Sequence, residues 1–361
     1  MKTGIVYHDY YLKHEQGPTH PERRERLEYT IDQLREEGIL EDPKIEIINP
    51  RRATLEEILS VHTTRYIERL KSMSEKGGII DLDTSVPVGS YDSAIWSAGG
   101  ALTAAEKVFN GSVKNSFALI RPPGHHAKPD NGAGFCYLNN MAIMIKNMIK
   151  RRTIKRAAIL DWDAHHGDGT QAIFYDDPNV LYISIHQDGR TLYPGSGFID
   201  EIGVGEGKGY NICIPVLPGA SDDVYRLALD EIYIPLVEEF RPDFIAISAG
   251  QDNHFTDPLT NLALTSRGYA EMMKDAVILS DKLCKGRLVA LLEGGYGVEG
   301  GLPYVNLGII AAMADIDITN IREPKIYEEV LRRRRRDVLD SAKETVRGLK
   351  RILKDYWSCF R

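Results

Sequence analysis

The stretch AAILDWDAHHGDGT, residues 157–170, decides the fold and locates the chemistry. Its first residues form a short apolar run, which is typical of a strand buried on both faces of a parallel sheet. Three aspartates and two histidines follow directly. In open parallel sheets ligands bind beyond the carboxyl ends of the strands, so this segment predicts a functional site at that edge.

Similar apolar runs recur along the chain, namely GIVYH (4–8), KIEIIN (44–49), SFALI (116–120), VLYISIH (180–186), DFIAIS (243–248) and RLVALLEGG (287–295). Helical stretches lie between them, at residues 22–37, 92–109, 139–150, 222–240 and 265–284. This alternation predicts an α/β fold with a central, mostly parallel β-sheet flanked by helices. Because no repeat or long linker interrupts the pattern, we expect residues 1–361 to form a single domain.

The C-terminal segment, about residues 320–361, is basic, with 13 Lys and Arg against 7 Asp and Glu. Its arginine run, Arg332 to Arg336, is followed by apolar residues at helical spacing, from Leu339 to Trp357. We expect a helix that packs on the body of the protein. The arginines are interpreted as a solvated helix face, in preference to a surface for nucleic acid or membrane.

Composition indicates a soluble globular protein, with 43% hydrophobic and 27% charged residues and a net charge of −7. No apolar run is long enough to cross a bilayer, and the start MKTGIVYHDY lacks the features of a secretory signal. The four cysteines lie far apart, which argues against a disulfide framework or a cysteine-built zinc site. These features predict a cytoplasmic protein without membrane or nucleic-acid contacts.

A metal site is indicated by the spacing of Asp163 and His165, which point the same way on an extended segment. Asp252 follows the predicted strand DFIAIS and is the expected third ligand, although His254 and Asp257 lie nearby in a loop. For those two residues a cap or a surface role is favoured. Two carboxylates and one imidazole neutralise a divalent ion and leave a coordination position open, as in catalytic sites.

Two further segments place polar groups at the same edge. His125 and His126 follow the predicted strand SFALI, and Asp161 and Asp168 remain to support them once the metal ligands are assigned. A carboxylate behind an imidazole fixes its tautomer and raises its basicity, as a general base requires. Tyr296 lies among glycines after the last predicted strand, where its hydroxyl is a candidate oxyanion donor.

Together these segments resemble the histone deacetylase and acetylpolyamine amidohydrolase superfamily, from Tyr7 to about Tyr304. The motifs that carry the resemblance are HPERRERL (20–27), RPPGHHA (121–127), GFCYLNN (134–140), DWDAHHGDGT (161–170), YPGSG (193–197), SAGQD (248–252) and LEGGYG (292–297). The last two are closer to the class II and prokaryotic branches. The resemblance implies the arginase/deacetylase fold and hydrolysis of the amide of N-acetylated lysine side chains by a metal-activated water.

The resemblance also implies the bound ions. Asp163, His165 and Asp252 would bind one Zn²⁺, with Fe²⁺ as the alternative because this ligand set accepts either ion. In the family a monovalent cation, usually K⁺, binds near the positions of Asp161 and Ser184.

The catalytic roles follow from the same resemblance. His126 would act as general base and then as general acid, while His125 assists electrostatically. Asp161 would support His125, and Asp168 would support His126. Tyr296 would polarise the substrate carbonyl.

The family binds its acylated side chain in a narrow tunnel. Gly134, Phe135 and Tyr193 match residues that line it, and Asp83 matches the rim aspartate that accepts a substrate backbone amide. Members that prefer polyamines place a glutamate at the position of Leu259, where it pairs with a distal ammonium. A leucine offers no such charge, which favours an acetylated lysine in a protein over an acetylated polyamine.

Two other functions remain open at this point. The Asp163-Ala-His165 spacing is also similar to the metal motif of the arginase-like ureohydrolases, which use two manganese ions. The histidine pair and Tyr296 have no role in that chemistry. The other alternative is an inactive acyl-lysine binding protein on the same fold, and measurable turnover would exclude it.

Overall fold

The computed structural model describes residues 1–317 and 328–361, with side chains described for 1–317 and 336–361. Its centre is an eight-stranded sheet, and every pair of neighbouring strands in it is parallel. Helices flank this sheet, which confirms the predicted α/β fold. None of the helices in the described residues is long and apolar enough to cross a membrane.

The strands are β1 (Thr3–Val6), β2 (Ile45–Ile48), β3 (Gly78–Asp81), β4 (Thr84–Val86), β5 (Asn115–Ala118), β6 (Ala157–Asp161), β7 (Val180–Gln187), β8 (Asn211–Val216), β9 (Phe244–Ala249) and β10 (Leu288–Leu292). The order in the large sheet is β2-β1-β5-β10-β9-β6-β7-β8, and β3 pairs with β4 in an antiparallel hairpin.

The α-helices are α1 (Glu25–Glu36), α2 (Leu55–Ile58), α3 (Thr64–Lys76), α4 (Ser90–Phe109), α5 (Asn140–Lys150), α6 (Asp168–Phe174), α7 (Asp222–Ala228), α8 (Ile234–Phe240), α9 (Ser266–Cys284), α10 (Gly301–Met313) and α11 (Glu328–Leu353). A π-helical segment, Leu229–Tyr233, joins α7 to α8, so the helix predicted at 222–240 is continuous but changes its winding.

The register of the central strands brings the site together. Asp161 at the end of β6 lies opposite Ser184 of β7 and Ser248 of β9. Ser248 in turn lies opposite Leu291 of β10, and Leu291 lies opposite Ala118 of β5. Every residue of β6, β9 and β10 is buried, as expected for strands covered on both faces. The segments that follow β5, β6, β9 and β10 therefore start from one edge.

All seven predicted strands are present, but β8 and the hairpin of β3 and β4 were not predicted. β8 contains Pro215, a residue that cannot donate a ladder hydrogen bond. The structure tolerates it because β8 is an edge strand. The helix α10 was missed as well, since it is apolar on almost every side and has no amphipathic period.

The C-terminal segment forms α11, which contacts α7 and β8. Leu349, Leu353 and Trp357 are buried, and Trp357 Nε1 donates a hydrogen bond to Gly209 O at 2.7 Å. The segment is therefore helical from Glu328 to Leu353, and its buried residues from Val338 onward pack on the body of the protein. Residues 318–327 and the side chains of Arg332 to Arg335 lie outside the described residues, so the interpretation of the arginine run stays a prediction.

Candidate active site

Three predicted metal ligands lie together at the ends of β6 and β9. The ligand atoms of Asp163, His165 and Asp252 all lie within 4.8 Å of one another. Nδ1 of His165 is 2.9 Å from Asp252 Oδ2 and 3.1 Å from Asp163 Oδ1. The two carboxylates are fully buried, and the imidazole is partly buried. This donor set suits a divalent ion such as Zn²⁺ or Fe²⁺.

Backbone amides hold the two carboxylates in place. Gly294 N donates to Asp163 Oδ2 at 2.8 Å, and Ala164 N donates to Asp252 Oδ1 at 2.8 Å. A Cβ on Gly294 would lie 2.4 Å from Asp252 Oδ2, so only glycine allows the chain to approach this closely. The glycines after β10 therefore shape the metal cluster.

The electrostatics of the cluster favour a cation. Burial opposes a charged His165 ring, yet hydrogen bonds to the two aspartates raise its pKa to about 10 in the protein alone. Burial, together with the charge of Asp163, raises the pKa of Asp252 to about 6. Two buried carboxylates at this separation are costly unless a positive charge compensates them, and a divalent ion supplies that charge.

The two rival ligands prove not to be surface residues. Asp257 is buried and accepts hydrogen bonds from Tyr296 N at 2.7 Å and Leu259 N at 2.8 Å. The bond to Leu259 N is a turn-capping interaction, which is one of the two roles expected for Asp257. His254 is buried too, and its Nδ1 lies 2.9 Å from Thr256 Oγ1.

The histidine pair lies against the metal cluster, with the ring centroids of His125 and His126 4.1 Å apart. His125 Nδ1 is 3.2 Å from Asp161 Oδ2, and His126 Nδ1 is 2.8 Å from Asp168 Oδ1. Lys128 Nζ is 2.8 Å from the other oxygen of Asp168. Each carboxylate thus accepts the Nδ1 proton of its own imidazole, and in a neutral ring this leaves Nε2 as the basic nitrogen.

The two rings differ in their affinity for a proton. Burial and the neighbouring His125 lower the pKa of His126 to about 4, against the opposing effect of Asp168. Burial also disfavours a charged His125, but Asp163 and Asp161 raise its pKa well above the ordinary value. His126 is therefore neutral at pH 7 and has the protonation state of a general base.

Tyr296 lines the same cavity as the histidines. Its ring packs edge-on against Phe135, with centroids 5.7 Å apart, and the guanidinium of Arg26 lies 5.0 Å from the ring centroid. Burial raises the pKa of Tyr296 well above 10. The phenol therefore keeps its proton and can donate a hydrogen bond.

Sequence reasoning gave no role to Glu293, the residue that directly follows β10. It is fully buried, and its Oε2 accepts hydrogen bonds from Gly124 N at 2.7 Å and His125 N at 3.2 Å. Its Oε1 lies 3.2 Å from Ser248 Oγ. Glu293 therefore holds the turn that carries the histidine pair, and a carboxylate directly after an apolar strand was the available signal.

Arg26, from the HPERRERL motif, was also unassigned. Its Nη1 donates to Glu22 Oε1 at 2.9 Å, and its Nε donates to Gly295 O at 2.7 Å. Its Nη2 donates to the carbonyl oxygen of Glu293. Arg26 therefore fixes the backbone immediately before Tyr296, across a separation of more than 260 residues.

A cavity of about 240 Å³ leads to these groups. Its lining residues are Asp83, Pro123, His125, His126, Gly134, Phe135, His165, Leu192, Tyr193, Leu259, Gly294 and Tyr296. All five residues predicted for substrate binding are among them. Tyr193 and Leu259 are 42% and 37% exposed and lie towards solvent, whereas His126 and Tyr296 are buried.

Comparison with known proteins agrees with this geometry. The family model for the histone deacetylase domain matches residues 20–305. A protein of Archaeoglobus fulgidus named "Probable deacetylase" is 60% identical over the whole of both chains. The "Histone deacetylase-like amidohydrolase" of Pseudomonas aeruginosa is 38% identical over 84% of this chain and 78% of its own. The chain belongs to the histone deacetylase family.

A solved structure of the same family, the HD domain of HDA15, has a TM-score of 0.87 at 31% identity. The structural match covers 99% of this chain and 97% of the HDA15 domain. The predicted resemblance to the histone deacetylase family and the predicted fold are both confirmed. Membership also places the protein among hydrolases of acetylated substrates and disfavours the ureohydrolase alternative.

The pair predicted for a monovalent cation is adjacent in the sheet, because Asp161 and Ser184 lie opposite each other on β6 and β7. Asp161 Oδ2 accepts a hydrogen bond from Tyr182 Oη at 3.0 Å. Ser184 Oγ lies 2.7 Å from His186 Nδ1. Both side chains thus have protein partners, and a K⁺ ion at this pair stays a prediction.

Proposed function

We propose that this histone deacetylase family member hydrolyses the amide bond of N-acetylated lysine side chains in proteins. One observation carries the proposal. A cavity with aromatic and aliphatic walls leads to buried residues of opposite function, the neutral base His126 and the proton donor Tyr296, beside the metal cluster. An extended acyl-lysine fits such a cavity, because its methylenes contact the walls and its amide reaches the polar end.

The proposal includes one divalent ion, Zn²⁺ or Fe²⁺, held by Asp163, His165 and Asp252. The closeness of two buried carboxylates and an imidazole supports this choice. When bound, such an ion acts as a Lewis acid on the amide carbonyl and lowers the pKa of a water molecule.

His126 handles the proton. Its Nε2 accepts a proton from the attacking water while Nδ1–H stays hydrogen-bonded to Asp168. The oxygen of the water forms a bond to the acetyl carbon, and the same Nε2 proton then passes to the amine nitrogen as the C–N bond breaks. Acetate and a free lysine side chain result. The low pKa of His126 keeps it ready to accept the proton at neutral pH.

Tyr296 stabilises the developing negative charge on the carbonyl oxygen by donating a hydrogen bond. Its backbone is held by Asp257 and its ring packs against Phe135, so the phenol needs little reorganisation. His125, whose pKa is raised by Asp163 and Asp161, adds positive charge next to the base. Asp161 and Asp168 act by orienting the two imidazoles.

The substrate choice depends on the cavity mouth. Phe135 and Tyr193 supply apolar walls for a lysine side chain, and Asp83 supplies a carboxylate for a backbone amide. Leu259 lies where a second ammonium of a polyamine would need a negative charge. An acetylated protein lysine is therefore proposed, with an acetylated polyamine as the alternative substrate.

The metal requirement has a direct test. Dialysis against a chelator should abolish hydrolysis of an acetyl-lysine peptide, and added Zn²⁺ or Fe²⁺ should restore it. The Asp252→Asn variant should remain inactive after the same addition. The control Asp188→Asn changes a buried aspartate outside the cluster, and the added ion should restore its activity. Full activity of the chelated protein would refute the metal-dependent proposal, and inactivity with every ion would favour an acyl-lysine binding protein.

A further inference from the structure

A second group of metal-ligating side chains lies apart from the catalytic cluster. His166 follows β6, Cys213 lies in β8, and Glu201 lies in the loop between β7 and β8. One ligand atom from each of the three lies within 4.8 Å of the others. His166 and Cys213 are each only 1% exposed, and neither contributes to the proposed hydrolysis.

The distance between His166 and Cys213 matches that of two ligands in a tetrahedral metal site. His166 Nε2 and Cys213 Sγ are 3.6 Å apart. Zinc bonds of about 2.0 Å to nitrogen and about 2.3 Å to sulfur place two tetrahedral ligands roughly 3.5 Å apart. Gln171 Oε1 lies 2.9 Å from the same nitrogen and 3.1 Å from the same sulfur, and it can serve as a fourth ligand once it moves outward by roughly 0.5 Å to tetrahedral spacing.

Three polar atoms surround Gln171 Oε1. Asn211 Nδ2 donates to it at 2.8 Å, while His166 Nε2 lies at 2.9 Å and Cys213 Sγ at 3.1 Å. With its proton on Nδ1, which lies 2.8 Å from Ser196 Oγ, His166 presents a lone pair on Nε2 to this oxygen. A cation between the nitrogen, the sulfur and the oxygen would be bound by all three atoms.

We propose that His166, Gln171, Glu201 and Cys213 form a second, closed site for a Zn²⁺-like ion. The Cys213 thiol loses its proton on binding, as coordinating thiols do. His166 binds through Nε2 with its remaining proton on Nδ1, which donates to Ser196 Oγ at 2.8 Å. The thiolate and the Glu201 carboxylate together neutralise the divalent charge, which lowers the free-energy cost of burying the ion.

The site would connect the metal-ligand segment to the cavity wall. Glu201 Oε1 accepts hydrogen bonds from Gly197 N at 2.8 Å and Phe198 N at 2.9 Å. Gly197 and Ser196 belong to the YPGSG loop, and Tyr193 of that loop lines the cavity. A closed four-ligand site has no open position for water, so its role is structural.

Cobalt tests the proposal, because a thiolate bound to Co²⁺ gives a charge-transfer absorption band in the near ultraviolet. The three ligands of the catalytic cluster carry no sulfur, so the band reports on Cys213. The full chain is produced in medium supplied with Co²⁺, which allows the buried site to fill during folding. We expect two cobalt ions per chain and the thiolate band. One ion per chain and no band in the unaltered protein would overturn the proposal, whatever any variant does.

Variants assign the band. Cys213→Ser should lose the band and one equivalent of cobalt, while Cys284→Ser, at another buried cysteine, should keep both. Asp252→Asn should lose one equivalent and keep the band. A band that persists in Cys213→Ser would also overturn the assignment. Failure here leaves the catalytic proposal intact, because that proposal is tested by hydrolysis and by the other equivalent of metal.

Discussion

Nδ1 of His126 lies 2.8 Å from Oδ1 of Asp168, and this contact fixes which nitrogen of the imidazole can act as a base. With its proton on Nδ1, the ring presents an unprotonated Nε2. The opposite tautomer would present a proton and could not accept one. Asp168 therefore controls the reaction through His126 without contacting the substrate.

The first prediction concerns Asp168→Asn. An asparagine can donate to Nδ1 and favour the wrong tautomer, so kcat should fall by about 10²- to 10⁴-fold. Lys128→Met, which removes only the exposed partner of Asp168, should change kcat by a few-fold at most. Steady-state kinetics on an acetyl-lysine peptide measures both. Equal losses in the two variants would contradict the tautomer argument.

The pH profile gives a second prediction. Activity requires neutral His126, whose pKa is lowered to about 4, so the acid limb should lie near pH 4 and below the ordinary histidine range. Activity should be retained at pH 6 and be lost as pH falls through the pKa of the folded state. Asp168 raises the pKa of His126, so the acid limb of the pH profile should lie at lower pH in the Asp168→Asn variant, if that variant retains activity. A limb near pH 6.5 in the unaltered protein would contradict this environment for His126.

Gly134 gives a third prediction, because its φ of +52° is left-handed and a Cβ there would lie 2.4 Å from His126 Cδ2. Gly134→Ala should displace the base and lower kcat/KM by roughly 10²-fold. Gly38→Ala is the matched control, with a φ of +71° and no atom near its Cβ. It should cost about 1 kcal/mol of stability and leave the kinetics unchanged. Equal kinetics in both variants would show that Gly134 has no steric role.

Leu259 gives a fourth prediction, on substrate choice. Leu259→Glu adds a carboxylate at the cavity mouth, which should raise kcat/KM for an acetylated polyamine relative to a peptide by about fivefold, as for an exposed ion pair of about 1 kcal/mol. Leu259→Gln has a similar shape without the charge and should leave the ratio unchanged. The ratio is measured at low salt, where screening is weak. A ratio that rises equally in both variants would contradict the charge argument.

Glu293 gives a fifth prediction, on stability. Burial raises its pKa to about 7 from 4.5, so the folded protein binds this proton over a range in which the unfolded chain has released it. The folded state should therefore lose stability as pH rises from about 4.5 through 7, by roughly 3 kcal/mol from this group. Glu293→Gln cannot ionise and should lack this loss.

Urea unfolding of the metal-free protein at pH 5 and pH 8 measures the effect. The difference in unfolding free energy between the two pH values should be smaller in Glu293→Gln than in the unaltered protein. Glu56→Gln, at an exposed carboxylate, serves as the control and should behave like the unaltered protein. An unchanged difference in Glu293→Gln would show that Glu293 is ionised in the folded state at both pH values.

The sequence was informative where a motif directly follows a buried strand. Asp163 and His165 follow β6, His125 and His126 follow β5, and the parallel register carries these segments to one edge. The apolar strand that precedes each of these motifs is enough to predict its position at the edge of the sheet. The same logic predicted six of the seven expected strands, because a strand buried on both faces is a continuous apolar run. The seventh, β2, lies at the sheet edge with Ile47 exposed, and its isoleucines alone indicated it.

Other residues depend on contacts that no local pattern encodes. Arg26 meets the backbone of Glu293 and Gly295 from the other end of the chain, and Asp257 meets Tyr296 N from a loop. Pro215 concealed the edge strand β8, since proline is normally excluded from strand interiors. Long-range packing decides these positions, and the sequence alone did not reveal it.

The most direct test compares an acetyl-lysine peptide with an acetylated polyamine as substrates of the metal-loaded protein. Turnover of each is measured for the unaltered chain, His126→Ala and Tyr296→Phe. We expect preferred hydrolysis of the peptide and a collapse of kcat in both variants, since one lacks the base and the other the proton donor. Preferred hydrolysis of the polyamine would contradict the proposed substrate, and undiminished turnover in either variant would contradict the proposed mechanism.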